Sequence, residues 1–287
     1  QANWLRAPGN DVGLMRQALL DRGWAPASIE LLADGVSGAQ LPELARIRAA
    51  LAGLVDSAAP GDFVLLYFSG HGTRLRDSGK AYQEPDDRSE MFLARGGALH
   101  DEEIGRWVQR LLARGAFVWA IFDTCSAASM TRGGAGTLRA DTNEADADDP
   151  ILFRGLAAGQ LEAGVKRAAL AARVGPAVAG DAPYVPPARY VVFFAAESHQ
   201  VTPELRLPRR QPEARMHGLL TWAVVEALKH DPPTWRALFN EALARYPAVI
   251  DELEQRFPAR ELPSPVAEGV LDAPLLRNAG PIAATQP

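Results

Sequence analysis

The residues best suited to chemistry in this 287-residue chain are one cysteine and one histidine. Cys125 is the only cysteine, and two residues separate it from the apolar run 117–122. His71 stands in the same relation to a second apolar run, 63–68. A thiol attacks a carbonyl group as the thiolate, so it needs an imidazole that accepts its proton and later protonates the leaving amine. The pair therefore predicts a Cys–His dyad, with Cys125 as nucleophile and His71 as general acid/base.

The elements that must position this dyad are buried strands. Short apolar runs rich in β-branched and aromatic residues predict strands that are covered on both faces, which is typical of a parallel sheet. Helical spacing of apolar residues between them favours an α/β fold with helices on both faces. Further predicted helices are one that Asn10 or Asp11 can cap and Gly23 can end, and one from Met216 to Lys229. Sites in such sheets form beyond the carboxyl ends of the strands, where both His71 and Cys125 fall. The predicted strands are 29–32, 63–68, 117–122 and 190–196.

Each member of the pair also has an ordinary structural interpretation. A lone cysteine at the end of a buried strand is usually part of the core, and a lone histidine in a glycine-rich turn usually belongs to the turn. Their joint placement after two strands favours the catalytic interpretation. Gly70 and Gly72 let the backbone turn sharply at the histidine. The N–H groups of Gly72 and Cys125 are then candidates for an oxyanion hole.

The two motifs around these residues resemble those of a known family. Phe68-Ser69-Gly70-His71-Gly72 and Phe122-Asp123-Thr124-Cys125-Ser126-Ala127 are similar to the caspase/metacaspase clan of cysteine peptidases, and most like its bacterial metacaspase-like members, the orthocaspases. The resemblance implies a caspase-like three-layer α/β/α fold with a mostly parallel central sheet. It also implies a cysteine endopeptidase that works through an acyl-enzyme intermediate. The chain departs from the family at Ser126-Ala127-Ala128, where His-Ser-Gly is common.

The resemblance also implies an organisation of the chain as one caspase-like domain. The family's first core strand precedes the segment matched by residues 5–11, and almost nothing precedes it here, so we expect another segment or chain to supply that strand. The predicted parts are a large-subunit-like region carrying His71 and Cys125 (1–139), a surface linker (140–188), a small-subunit-like region (189–276) and a tail (277–287).

A preference for basic residues is implied by three further positions. The resemblance places Asp11, Ser69 and Asp123 in the primary specificity pocket of metacaspases. Two carboxylates in one pocket suit a guanidinium, which they can grip by paired hydrogen bonds. We therefore expect cleavage after Arg or Lys. The alternatives are that Asp11 caps the helix that follows it and that Asp123 binds turn amides.

Calcium binding and self-cleavage are two further expectations. Eukaryotic metacaspases often need calcium, and carboxylates in comparable regions of this chain are Asp86, Asp87, Asp101 and Glu102. Asp101 and Glu102 have an alternative role as acids at the positive end of a helix dipole. An enzyme that cuts after basic residues could cut its own linker. Basic residues that lie in or near it include Lys166, Arg167, Arg173 and Arg189.

Composition excludes several other classes of protein. The formal net charge of −5 argues against a general nucleic-acid or anionic-membrane surface, and no apolar stretch approaches the roughly 20 residues of a membrane helix. No glycine-rich phosphate-binding motif follows a strand. The predicted partners are protein or peptide substrates, with no cofactor required for the chemistry, and no compartment is indicated. The alternative is a catalytically silent caspase-like scaffold or regulatory binding module.

Overall fold

The computed structural model describes residues 5–76, 88–124, 149–154, 189–197, 200–258 and 260–275. The helices in these ranges are α1 (Ala7–Asp21), α2 (Leu44–Ser57), α3 (Asp101–Ala113), α4 (Leu219–Leu228), α5 (Trp235–Leu243) and α6 (Tyr246–Arg256). The strands are β1 (Phe63–Ser69), β2 (Gly72–Arg76), β3 (Arg88–Ala94), β4 (Gly97–His100), β5 (Phe117–Asp123), β6 (Leu152–Phe153), β7 (Tyr190–Phe194), β8 (Pro203–Leu207), β9 (Arg215–Gly218) and β10 (Val266–Gly269). No helix in the described ranges is long and apolar enough to cross a membrane.

The central sheet is mostly parallel, as the apolar runs predict. Its strand order is β1-β5-β7-β10. Strands β1, β5 and β7 run parallel, and β10 joins the edge antiparallel to β7. The remaining strands form two small antiparallel sheets, β2-β3-β4 and β6-β8-β9, of which the first follows β1 directly along the chain.

Two cores lie on opposite faces of the central sheet, which gives the predicted three layers. Successive side chains of a strand point to opposite faces. In β5, Trp119 and Ile121 join the core that includes residues of α1, α4, α5 and α6. Val118 and Ala120 join the core that includes residues of α2 and α3. Because β5 is buried on both faces, its end at Asp123 lies on a rigid support.

The predicted strand Ile29–Leu32 is wrong. Only an isolated bridge joins Leu32 to Gln40, and Glu30 is exposed. A strand needs a neighbour for its backbone hydrogen bonds, and no described segment runs beside residues 29–32 as a paired strand. Within the described ranges β1 forms one edge of the central sheet. That a further segment or chain pairs there stays a prediction.

Two helix starts also differ from the sequence prediction. The first helix begins at Ala7 with Pro8 in its first turn, so Asp11 lies inside the helix and does not cap it. The predicted end at Gly23 is confirmed, because this glycine takes the positive φ of 85° that follows many helices. The expected helix from Met216 starts at Leu219, since residues 216–218 pair with β8.

Candidate active site

The ends of β1 and β5 lie side by side and define the edge where the site forms. The parallel register pairs Ser69 with Asp123, the last residue of each strand. The Gly70 N–H continues this pairing by donating to the Asp123 carbonyl oxygen at 3.4 Å. The chain therefore leaves both strands at the same edge, with His71 two residues beyond one strand end. Cys125 lies outside the described residues, which stop at Thr124 on this side of the gap.

Contacts on both its backbone and its ring hold His71. Its carbonyl oxygen accepts a hydrogen bond from the Leu93 N–H at 3.0 Å. Its Nδ1 lies 2.8 Å from the carbonyl oxygen of Arg154. A carbonyl oxygen can only accept, so this contact requires a proton on Nδ1. Gly72, the predicted oxyanion donor, opens β2 and lies opposite Phe92 of β3.

The structure brings together all three residues that were expected to bind the substrate. Asp11 reaches the strand ends from α1, and the Ser69 hydroxyl donates to its Oδ2 at 2.8 Å. Asp11 Oδ1 also accepts from the Gly218 N–H at 3.1 Å. Asp123 Oδ2 accepts from the N–H and the hydroxyl of Thr221, at 2.8 and 2.6 Å. We call this group, Asp11, Ser69, Asp123 and Gly218, the specificity pocket after the role predicted for it, and binding of a substrate residue there stays a prediction.

A guanidinium of the chain itself fills the specificity pocket. Arg154 follows β6, and its side chain is fully buried. Its Nη2 pairs with Asp11 Oδ2, and its Nη1 lies 3.0 Å from Asp123 Oδ1. Nη1 also donates to the Ser69 hydroxyl at 3.0 Å. These three partners of the guanidinium come from α1, β1 and β5.

Three carboxylates lie around the single guanidinium of Arg154. Glu204 is a third carboxylate, 3.9 Å from Arg154 Nε, and it accepts the N–H of Arg6 at 2.7 Å. Burial raises the pKa of Asp123 although Arg154 opposes the shift, and burial likewise raises the pKa of Glu204. Burial would lower the pKa of Arg154, but the surrounding carboxylates outweigh it and raise this pKa. A cation in this place therefore stays charged and stabilises the ionised acids.

Gly218 makes room for the guanidinium. A methyl group on its Cα would overlap with Asp123 Oδ2 and with the Arg154 guanidinium. Its φ of −69° is open to any residue, so the space and not the backbone conformation requires glycine. The preceding residue, His217, also lies at the pocket, with its Nδ1 3.0 Å from Asp11 Oδ1. Sequence reasoning did not assign them to the pocket.

The residues expected to bind calcium are only partly described. Asp101 and Glu102 open α3, and Asp101 Oδ1 accepts the N–H of Glu102 at 2.8 Å. Asp86 and Asp87 fall in the gap between β2 and β3 that the description leaves out. In the described ranges no three metal-ligating side chains come together. Calcium takes six to eight oxygen ligands, so the described carboxylates alone do not fit it.

The basic residues considered for self-cleavage are also only partly described. Arg189 precedes β7, is exposed, and donates from Nη1 to the carbonyl oxygen of Gly115 at 3.0 Å. It lies outside the specificity pocket. The other three, Lys166, Arg167 and Arg173, fall in the part of the chain that is not described.

The mostly parallel α/β sheet, with a histidine after one strand and an acid at the end of its neighbour, agrees with the predicted caspase-like fold. Residues 1–132 match the family model for the metacaspase, peptidase C14 domain. Over these residues, which are less than half of the chain, the chain is similar to metacaspases, and the predicted resemblance to the caspase/metacaspase clan is confirmed. The closer likeness to bacterial orthocaspases stays a prediction.

Individual relatives agree with this family. A metacaspase-1 of Lodderomyces elongisporus is 28% identical over 182 residues, which cover 54% of this chain and 40% of the relative. A metacaspase-1 of Ajellomyces capsulatus is 24% identical over 250 residues, or 81% of this chain and 68% of the relative. A crystal structure of a Geobacter sulfurreducens protein superposes with a TM-score of 0.57 and 18% identity, over 93% of this chain and 85% of that chain, and shows the fold alone. The chain spans under half of the first relative, so that protein's activity comes to this chain only as a proposal.

Proposed function

We propose that the chain is a cysteine endopeptidase that hydrolyses peptide bonds after Arg or Lys. The observation that carries the proposal is the specificity pocket at the shared edge of β1 and β5. There Asp11 and Asp123 grip a buried guanidinium, while His71 follows one of the two strands. Buried carboxylates in excess over bases favour a cationic side chain, and a caspase-type acidic side chain would be repelled.

In the proposed reaction, His71 takes the proton of the Cys125 thiol and the thiolate attacks the carbonyl carbon after the basic residue. The N–H groups of Gly72 and Cys125 stabilise the tetrahedral oxyanion. His71 then protonates the leaving amine, and water hydrolyses the thioester. Residues of the chain carry every step of this scheme, and a requirement for calcium stays a prediction. Activity that a chelator abolishes and calcium restores would support a calcium site at Asp86, Asp87, Asp101 and Glu102.

The test is a panel of peptides that differ only in the residue before the scissile bond. We expect turnover after Arg and Lys and none after Asp or Glu. Citrulline keeps the shape of arginine without its charge, so turnover after it should be far slower than after Arg. Cys125→Ala should lose all turnover, and an Arg-chloromethylketone should label the wild type at Cys125. Turnover confined to acidic residues would refute the specificity. A folded protein that neither turns over any peptide nor takes up the label would favour the alternative, a silent caspase-like scaffold.

A further inference from the structure

The two oxygens of Asp123 have different partners. Oδ2 faces α4, where it accepts hydrogen bonds from the N–H and the hydroxyl of Thr221 at 2.8 and 2.6 Å. Oδ1 faces the pocket, 3.0 Å from Nη1 of Arg154. The terminal torsion of an aspartate side chain has no sharp preference of its own. The hydrogen bonds to Oδ2 therefore decide where Oδ1 points, and so how well it meets a cation.

The first turn of α4 is open to a carboxylate from outside the helix. In many helices a side-chain oxygen of the N-cap residue accepts the N–H of the third helical residue. The N-cap of α4 is Gly218, which has no side chain, and the third residue is Thr221. Asp123 takes the place of the missing cap from the end of β5. The partial positive charge at the start of a helix also stabilises an anion there.

Tyr67 of β1 continues the contact beyond Thr221. Its hydroxyl oxygen lies 2.8 Å from Thr221 Oγ1. The ionised Asp123 can only accept, so the single proton of the Thr221 hydroxyl points to Oδ2. Tyr67 must then be the donor to Thr221. Burial, together with the carboxylates of Asp11 and Asp123, raises the pKa of Tyr67, so its hydroxyl keeps the proton that it donates.

The result is a chain of hydrogen bonds that has one direction, from Tyr67 through Thr221 to Asp123. Donors in such a chain polarise one another, so each strengthens the next. The chain joins β1, α4 and β5. Alternate residues of a strand share a face, so Tyr67 lies on the same face of β1 as Ser69, whose hydroxyl donates to Asp11. Strand β1 thus supplies one hydroxyl to each acid, directly to Asp11 and through Thr221 to Asp123.

We propose that Tyr67 and Thr221 are positioning residues that set the preference for a charged substrate residue; this rests on the proposed function. They hold Asp123 by Oδ2, so that Oδ1 meets the guanidinium or ammonium group of the substrate. Among the described hydrogen bonds, none joins either hydroxyl to the Arg154 guanidinium, so both act through Asp123. Loss of either hydroxyl should leave a pocket that distinguishes arginine from an uncharged analogue less well.

The test compares the kcat/KM of an Arg peptide with that of the matching citrulline peptide. Valine keeps the shape of threonine without its hydroxyl, so Thr221→Val should lower the Arg-to-citrulline ratio about tenfold, as expected for one lost hydrogen bond to a charged group. Tyr67→Phe acts one step further away and should lower the ratio about two- to fivefold. Thr221→Ser keeps the hydroxyl and should keep the wild-type ratio.

Tyr246→Phe is the matched control. It makes the same change in a buried ring whose hydroxyl has no hydrogen bond among the described residues, so its ratio should equal that of the wild type. Tyr67→Phe should also have no effect when it is combined with Thr221→Val, because the route to Asp123 is then already broken. A tyrosine that acted only through general packing would have the same effect in both backgrounds. Circular dichroism shows which variants are folded.

A second readout, which needs no turnover, is the pKa of the Asp123 carboxyl, followed by NMR of isotope-labelled aspartate. Burial raises this pKa, and the hydrogen bonds from Thr221 oppose the rise because they stabilise the ionised form. Thr221→Val and Tyr67→Phe should therefore raise the pKa of Asp123 further. Tyr246→Phe should leave it unchanged.

The outcomes separate the two proposals. Turnover after Arg with an unchanged ratio in Thr221→Val would overturn the positioning role and leave the proposed function standing. An unchanged pKa of Asp123 in that variant would do the same. An equal effect of Tyr67→Phe with and without Thr221→Val would overturn the connection through Thr221. A wild type without any turnover after Arg or Lys would overturn the proposed function, and the role in specificity with it.

Discussion

The substitution Asp123→Asn tests whether the acid at the end of β5 recognises charge. Asparagine has nearly the shape of aspartate, so an oxygen in the place of Oδ2 keeps both hydrogen bonds from Thr221. The amide nitrogen then takes the place of Oδ1, 3.0 Å from the guanidinium of the bound arginine. The amide N–H donor then faces the N–H donor of the guanidinium, so the ionic contact between them is lost. The hydrogen bonds from Thr221 still hold the end of β5.

A contact to a charged group contributes about 1.5–3 kcal/mol. At about 1.4 kcal/mol per tenfold change, this corresponds to a fall of roughly 10- to 150-fold in kcat/KM for an Arg peptide. A citrulline peptide has no charge to lose, so its low kcat/KM should change little. The measured quantity is the ratio of the two values. Because Arg154 competes with both peptides equally, its occupancy of the pocket cancels in that ratio.

The matched control is Asp272→Asn, which makes the same chemical change at an exposed carboxylate paired with Arg236. We expect its Arg-to-citrulline ratio to equal that of the wild type. The reasoning is refuted if Asp123→Asn lowers turnover of both peptides by the same factor. That result would mean that Asp123 supports the catalytic groups and does not read the charge of the substrate.

Three other predictions concern the pocket wall, an ion pair and the core. Gly218→Ala should lower Arg-peptide turnover more than tenfold, because the methyl group takes the space of the guanidinium. The control Gly53→Ala adds a methyl group that has no atom within 4 Å, so it should have no effect on turnover. Glu103 is buried, which raises its pKa, but Arg48 outweighs burial and lowers the pKa below its ordinary value. The pair therefore stabilises the fold above the unfolded-state pKa of about 4.3, and the stabilisation is lost as the pH falls through the lower folded pKa. Glu103→Gln should thus lower the free energy of unfolding by about 1 kcal/mol at pH 7, a figure reduced for the partial exposure of Arg48. At strongly acidic pH the substitution should cost nothing. Urea unfolding measures both values, and an equal loss at the two pH values would contradict this account. Trp235→Ala should cost about 3–5 kcal/mol, since this fully buried ring packs against its aromatic neighbours in the sheet core, and a loss below 1 kcal/mol would contradict that account.

The sequence is most informative where local order decides the geometry. Runs 63–68 and 117–122 are apolar throughout, so they predict adjacent parallel strands, and parallel strands bring their carboxyl ends together. That alone places His71 near Asp123. The run 29–32 has the same composition but forms no strand in the described ranges, because a strand also depends on a partner that local composition does not specify.

The pocket depended on contacts between distant parts of the chain. Asp11 could be assigned only through the family resemblance, since its local pattern equally suggested a helix cap. Its contact with Gly218 spans 207 positions in the sequence, and its ion pair with Arg154 spans 143. No hydrophobic periodicity or sequence motif distinguishes Arg154, because it is one of several basic residues in or near the predicted linker. Only the folded arrangement distinguishes it from Arg189.

Asp123 links the two halves of the proposed enzyme. Its backbone is the last step of β5 and sets the direction in which the chain continues towards Cys125, while its side chain binds the cation that selects the substrate. Because burial raises its pKa, the acid is held ionised best when a cation is present. An occupied pocket is therefore expected to stabilise the strand end next to the nucleophile. On this view the guanidinium of Arg154, and the basic side chain of a substrate that takes its place, fulfil the same structural requirement.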